Sequence, residues 1–223
     1  MSKNTSIQRS AVVGKSSNKA NGCRSGFPRN AQTLADLVDA YEKSQQISEK
    51  GWNPLRSLLE GYRGLVDLET AIKSATLAED IVGKSYQKEW NAKVKRHGHQ
   101  RRIEQAALKK ALKTLKFKIG ELKACKSFDQ IFECVSSNCL EIEGLGPLYI
   151  YDTSLRISAF SKKLPRRVHL QAGALTGARA LELDVKNSPL LVSAFPKSMQ
   201  QLAAHEIEDF LCIYKDDLKT VKI

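Results

Sequence analysis

Long apolar runs are missing from this chain. The longest, at 190–195, falls far short of the roughly 18 residues that a membrane-spanning helix needs, so no membrane partner is expected. The opening residues, MSKNTSIQRS, contain no apolar core of the kind a secretory signal requires. Cysteine is scarce and odd in number: five, at positions 23, 125, 134, 139 and 212. That scatter suits a reducing cytosol better than a disulfide scaffold, and the expected location is cytoplasmic. Cys134 and Cys139 have no further Cys or His at zinc-finger spacing. His205-Glu206-Ile207-Glu208-Asp209 begins like a zinc-protease helix but carries Asp where the second His would stand. No G-x-x-x-x-G-K-[ST] loop occurs, which argues against a P-loop nucleotide hydrolase. Neither a metal nor a cofactor is expected.

What the chain has in excess is positive charge, +12 over 223 residues, and that charge is segregated. Residues 1–30 hold six Lys or Arg and no acid; residues 88–126 hold thirteen against three glutamates. The remaining stretches, 31–87 and 127–223, are mildly acidic, at −3 and −1. Such segregation is the electrostatic footprint of a polyanion binder. A solubilising tail beside a solvated helix face would give the same totals, and the composition leaves both open. At 42% hydrophobic the chain has enough apolar material for a core.

Residues 1–30 are rich in Ser, Asn, Gly and Lys and read as a disordered basic arm. A single helical domain is expected over 31–223, with a division into lobes at 31–126 and 127–223. Thr33 and Asp36 form a cap before Leu34, Leu37, Val38 and Tyr41, which recur at helical spacing. Asn53-Pro54 is a second start signal, with Leu55, Leu58, Leu59 and Tyr62 on one face and Gly61 and Gly64 near the end. Helices are expected over 86–94 and from about 101 to 119, separated by His97-Gly98-His99. In the second, Ile103, Ala107, Leu108, Leu112 and Leu115 make an apolar stripe. Lys109, Lys110, Lys113 and Lys116 occupy its other faces, and Phe117 is its one large aromatic residue. Ser127 and Gln130 make a capping-box pair, and Leu202, Ile207, Phe210, Leu211 and Tyr214 mark a last helix. Strand alternation is absent apart from a short extended piece at 167–170. The fold class is all-α, or mostly so.

The most informative stretch is Ile142-Glu143-Gly144-Leu145-Gly146-Pro147, flanked by Leu140, Leu148 and Ile150. Glycines there let the backbone approach a ligand, and the helix that follows adds its positive dipole end. The pattern resembles the helix-hairpin-helix element of DNA-binding proteins, in which the hairpin holds the DNA backbone without reading sequence. An ordinary tight turn between helices would use the same glycines. The next residues, Ile150-Tyr151-Asp152-Thr153-Ser154-Leu155-Arg156-Ile157, resemble the aspartate motif of the helix-hairpin-helix DNA glycosylases.

That resemblance implies a catalytic carboxylate at Asp152, which would stabilise the cationic sugar and help activate a nucleophile. It departs from the family in spacing, because only six residues separate Gly146 from Asp152. It also lacks the lysine that bifunctional members carry after the glycines, where this chain has Pro147, Leu148 and Tyr149. A monofunctional enzyme with water as nucleophile is therefore implied. Asp152 would equally serve as a helix cap or as a partner to Arg156, four residues on.

On this reading Tyr149 and Tyr151 are candidates to stack on an extruded base. Phosphates would be held by Gly144, Leu145, Gly146, Arg156, Lys162, Lys163, Arg166, Arg167 and His169, and by Lys95, Arg96, Arg101 and Arg102 around the histidine turn. Gly173 and Gly177 would either admit a close helix contact or expose amides to phosphate. The expected partner is double-stranded DNA, with a nucleoid association if it is bound. Two other readings stay open: a non-enzymatic helix-hairpin-helix module, and a helical interaction protein with an acidic partner.

Overall fold

The computed structural model describes residues 31–46, 54–81 and 100–222. The basic arm, the helix expected over 86–94, the histidine turn, and Lys95 and Arg96 lie outside the described residues. Among the described residues the fold is mostly helical, with nine α-helices and one pair of two-residue strands. No described helix is long and apolar enough to cross a membrane.

Helix α1 (Leu34–Ser44) opens on the expected cap. The Thr33 hydroxyl accepts from the Asp36 amide, and the Asp36 carboxylate accepts from the Thr33 amide. Helix α2 (Leu55–Arg63) starts one residue later than the Pro54 signal suggests, with Pro54 itself as the cap. It ends at Gly64, whereas Gly61 sits inside the helix against Ile81. Asp67 caps α3 (Leu68–Thr76). The basic helix α4 (Gln105–Phe117) stops at Lys118, and a short α5 (Ile119–Ala124) follows. Ser127 caps α6 (Phe128–Cys139), although the Gln130 side chain reaches the Lys126 amide instead of that of Ser127. Helix α7 (Pro147–Phe160) follows the glycine hairpin. Strand β1 (Arg167–Val168) then pairs antiparallel with β2 (Leu190–Leu191), so the extended piece is real and shorter than expected. Between and after them come α8 (Ala172–Ala180) and α9 (Ala204–Ile213).

Two hydrophobic cores result, and they do not divide at 126/127. The first runs from Leu58 in α2 to Ala159 in α7, and so crosses the expected boundary. The second combines Leu34–Tyr41 of α1 with apolar residues from Val168 to Leu218. The cause lies in α7, which is buried on nearly every side and needs α2, α3 and α6 around it. Helix α1 joins the C-terminal half through a parallel bridge between Thr33 and Lys222. The four cysteines among the described residues are free thiols, and burial pushes Cys134 and Cys139 up to about 12.

Gly173 and Gly177 serve helix packing. A Cβ at Gly177 would stand 2.4 Å from the Leu211 carbonyl oxygen, and one at Gly173 would stand 2.6 Å from Cys212 Sγ. Helix α8 therefore rides directly on the backbone of α9. Gly177→Ala is expected to force these helices apart and cost about 1–3 kcal/mol, read as a lowered urea midpoint. An unchanged midpoint would contradict the contact.

Candidate functional site

The hairpin between α6 and α7 places its residues unequally. Leu145 and Ile142 are buried, while Gly144 and Gly146 are exposed. Gly144 has a φ of +85°, a left-handed conformation that favours glycine. Gly146 is different, since its φ is −103° and nothing described lies within 4 Å of where its Cβ would be. Neither strain nor crowding calls for glycine there. Gly146 caps α7 without a side chain, so the amides of the first turn are left open at that end. Ile150 is buried, Leu148 is half-buried, and Leu140 is half exposed.

Asp152 lies in the second turn of α7, so it is not a helix cap. Its Oδ2 accepts from Gln100 Nε2 at 2.8 Å and stands 3.8 Å from Arg156 Nη2. Arg156 Nη1 in turn donates to Gln100 Oε1 at 2.9 Å. The amide of Gln100 thus bridges the carboxylate and the guanidinium, using one end for each. The Arg156 side chain is only 3% exposed, whereas that of Asp152 is 17% exposed. The cluster is anchored inside and reaches solvent through the carboxylate. Arg101 and Arg102, which directly follow Gln100, are both exposed beside it.

Several expected site residues are placed elsewhere by the packing. Tyr149 is buried, with its hydroxyl donating to the Thr76 carbonyl at 3.0 Å. Tyr151 is buried against Phe128 and His169. Burial raises both phenols, and for Tyr151 the carboxylates of Glu208, Asp152 and Asp209 raise it further. Neither ring is open to a base, because α7 is enclosed on the sides from which both project. His169 is buried within Phe128, Phe132 and Tyr151, so it packs a core and does not face a phosphate. Burial lowers its pKa against the pull of Asp129. Arg156 holds Gln100 and Asp152 and is not a surface cation. Lys163 donates to the Cys125 carbonyl at 2.7 Å, which ties it to the end of α5. Lys162, Arg166 and Arg167 are exposed. Among the described residues no group of three His, Cys, Asp or Glu is gathered to hold a metal ion.

Gln100 is the member that spacing arguments miss, because 52 residues separate it from Asp152. The Asp152–Arg156 pair, by contrast, is visible as an i,i+4 spacing. A second polar group, also unforeseen, joins the two cores. Arg56 of α2 donates through Nε to Glu206 of α9, whose other oxygen accepts from the Ala203 amide. Burial raises the Glu206 pKa, but the bonds from Arg56 and Ala203 outweigh it, and the net shift is down. Beside it His205 is buried, and that burial lowers its pKa to about 4. Comparisons with protein-family models, curated proteins and solved structures find no match.

The His205 shift has a definite sign. The unfolded chain takes up a proton near its ordinary 6.5, while the folded chain resists until about 4. Stability is therefore fully present at neutral pH and lost progressively across that window, with His169 adding in the same direction. The urea midpoint should fall between pH 7 and pH 4.5, and His205→Gln should flatten the fall. A wild-type midpoint that stays level over this range would contradict the burial.

Proposed function

We propose that this chain is a DNA-binding protein that hydrolyses the N-glycosidic bond of an extruded modified or mismatched base, with Asp152 as its catalytic carboxylate. The observation that carries the reading is the Asp152–Gln100–Arg156 cluster: a carboxylate oriented from within, partly exposed, with the exposed Arg101 and Arg102 next to Gln100 in the chain. A carboxylate fixed in this way needs no reorganisation when positive charge develops nearby.

In the proposed reaction the bond between the sugar carbon and the base nitrogen breaks, and its electron pair leaves with the base. The sugar acquires oxocarbenium character, which the Asp152 anion stabilises more strongly than it does the neutral substrate. Water then adds its oxygen to that carbon, and its proton passes to Asp152. Phosphates on either side would be held by the amides of Gly144 and Gly146, but not by that of Leu145, which donates to the Ile142 carbonyl, and by Arg101, Arg102, Lys162, Arg166 and Arg167. Along α7 the rise from Gly146 to Asp152 is about 9 Å, between two and three nucleotide steps of a duplex strand at about 3.4 Å each. Hairpin and carboxylate can therefore serve one strand in spite of their short separation in sequence.

A second reading, a non-enzymatic DNA-binding module, is favoured by the burial of Tyr149 and Tyr151, which removes the expected stacking platform. The two separate in one experiment. Duplex oligonucleotides bearing a panel of modified bases are incubated with the protein, and abasic sites are scored by alkaline cleavage. The enzyme reading expects base release that Asp152→Asn abolishes, with DNA affinity unchanged or higher because a negative charge is gone. Release that survives Asp152→Asn would overturn the assignment of this residue. Binding without release from any substrate would favour the module.

A further inference from the structure

Helix α4 carries a feature that packing does not explain. Its core side is Ala107, Leu108, Ala111 and Leu115, all buried. Phe117 does not continue that side. It follows Lys110 by seven residues and Lys113 by four, which places it on their face of the helix. It is 80% exposed, the most exposed large apolar residue among those described. Lys116 is paired with Glu69 at 2.8 Å and Lys118 with Glu121 at 3.0 Å. Among the described residues none supplies a carboxylate to Lys109, Lys110 or Lys113. The result is a stripe about 10 Å long from Lys110 to Phe117, with unneutralised ammonium groups at one end and a bare aromatic ring at the other.

We propose that the Lys110–Lys113–Phe117 face of α4 is a binding platform for a single-stranded segment of nucleic acid, with Phe117 stacked on an unpaired base and the lysines on the phosphates beside it. This rests on the reading of the chain as a nucleic-acid binder, but not on Asp152 or on glycosylase activity. The partner is argued from charge complementarity and ring chemistry. A polyanion neutralises Lys109, Lys110 and Lys113, and a nucleic acid with unpaired bases also offers π faces that cover Phe117. An anionic membrane surface would satisfy the lysines, but a membrane-lying helix turns a whole apolar face outward. Here that face is committed to the core, and one ring remains.

The test uses the full chain and fluorescence anisotropy with a labelled single strand and its duplex, each titrated over a range of salt. Phe117→Ala should weaken single-strand binding about tenfold and leave the salt dependence alone, because stacking is not electrostatic. Phe117→Tyr should restore affinity. Lys110→Gln with Lys113→Gln should reduce the salt slope by about 1.4 in total, roughly 0.7 per lost phosphate contact. All of these side chains are exposed, so thermal melts of the variants should match wild type. If wild type binds nucleic acid and Phe117→Ala binds single strands equally well, the platform is wrong while the broader reading stands. If wild type binds neither oligonucleotide, both are overturned.

Discussion

A guanidinium inside a protein must be met by acceptors, since a lone buried charge is far more costly than most single interactions can offset. Arg156 sets that requirement for this fold. Its helix is enclosed by α2, α3 and α6, so its side chain cannot escape to water. Gln100 and Asp152 meet the demand from one side. Gln100 stands just ahead of the segment that leads into α4, so the same contacts tie that segment to α7. Asp152 is held as a by-product of the same arrangement, its carboxylate at the boundary between core and solvent. A geometry that chemistry would exploit thus arises from a requirement of folding.

The interleaving of the two cores follows from a similar constraint. Helix α7 consumes the apolar faces of its neighbours, which leaves α1 to find cover elsewhere, and it does so against the C-terminal third. The cores then meet through polar and aromatic contacts: Arg56 with Glu206, and the ring of His169 among Phe128, Phe132 and Tyr151. Asp152 of the first core and Glu208 and Asp209 of the second are all close enough to act on the buried Tyr151 hydroxyl.

Much of the local structure was legible in the residues themselves. The Thr33–Asp36 box, the Ser127 cap, the two faces of α4 and the extended piece at Arg167 all follow from short-range rules of capping and periodicity. The i,i+4 spacing of Asp152 and Arg156 was equally plain. Helix α7 escaped the same logic because it has almost no polar face. With burial on nearly all sides, periodicity cannot say that Tyr149 and Tyr151 point inward, and motif likeness alone turned them toward a ligand. Gln100 and the Arg56–Glu206 pair were beyond reach for another reason: their partners lie 52 and 150 residues away. Two glycines four apart fit a phosphate loop or a helix crossing, and only the approach of α9 decides between them.

Gln100, Arg156 and Asp152 act as one unit in which the buried cation holds the carboxylate in place. A double-mutant cycle on Gln100→Leu and Arg156→Met, read by chemical denaturation, tests it most directly. Each single change strands a polar group that the other residue satisfied, whereas the double change removes both. The double variant is expected to lose less than the sum of the singles, by about 1 kcal/mol or more. Losses that simply add, to within about 0.3 kcal/mol, would mean that the two residues stabilise the fold separately and do not form one unit.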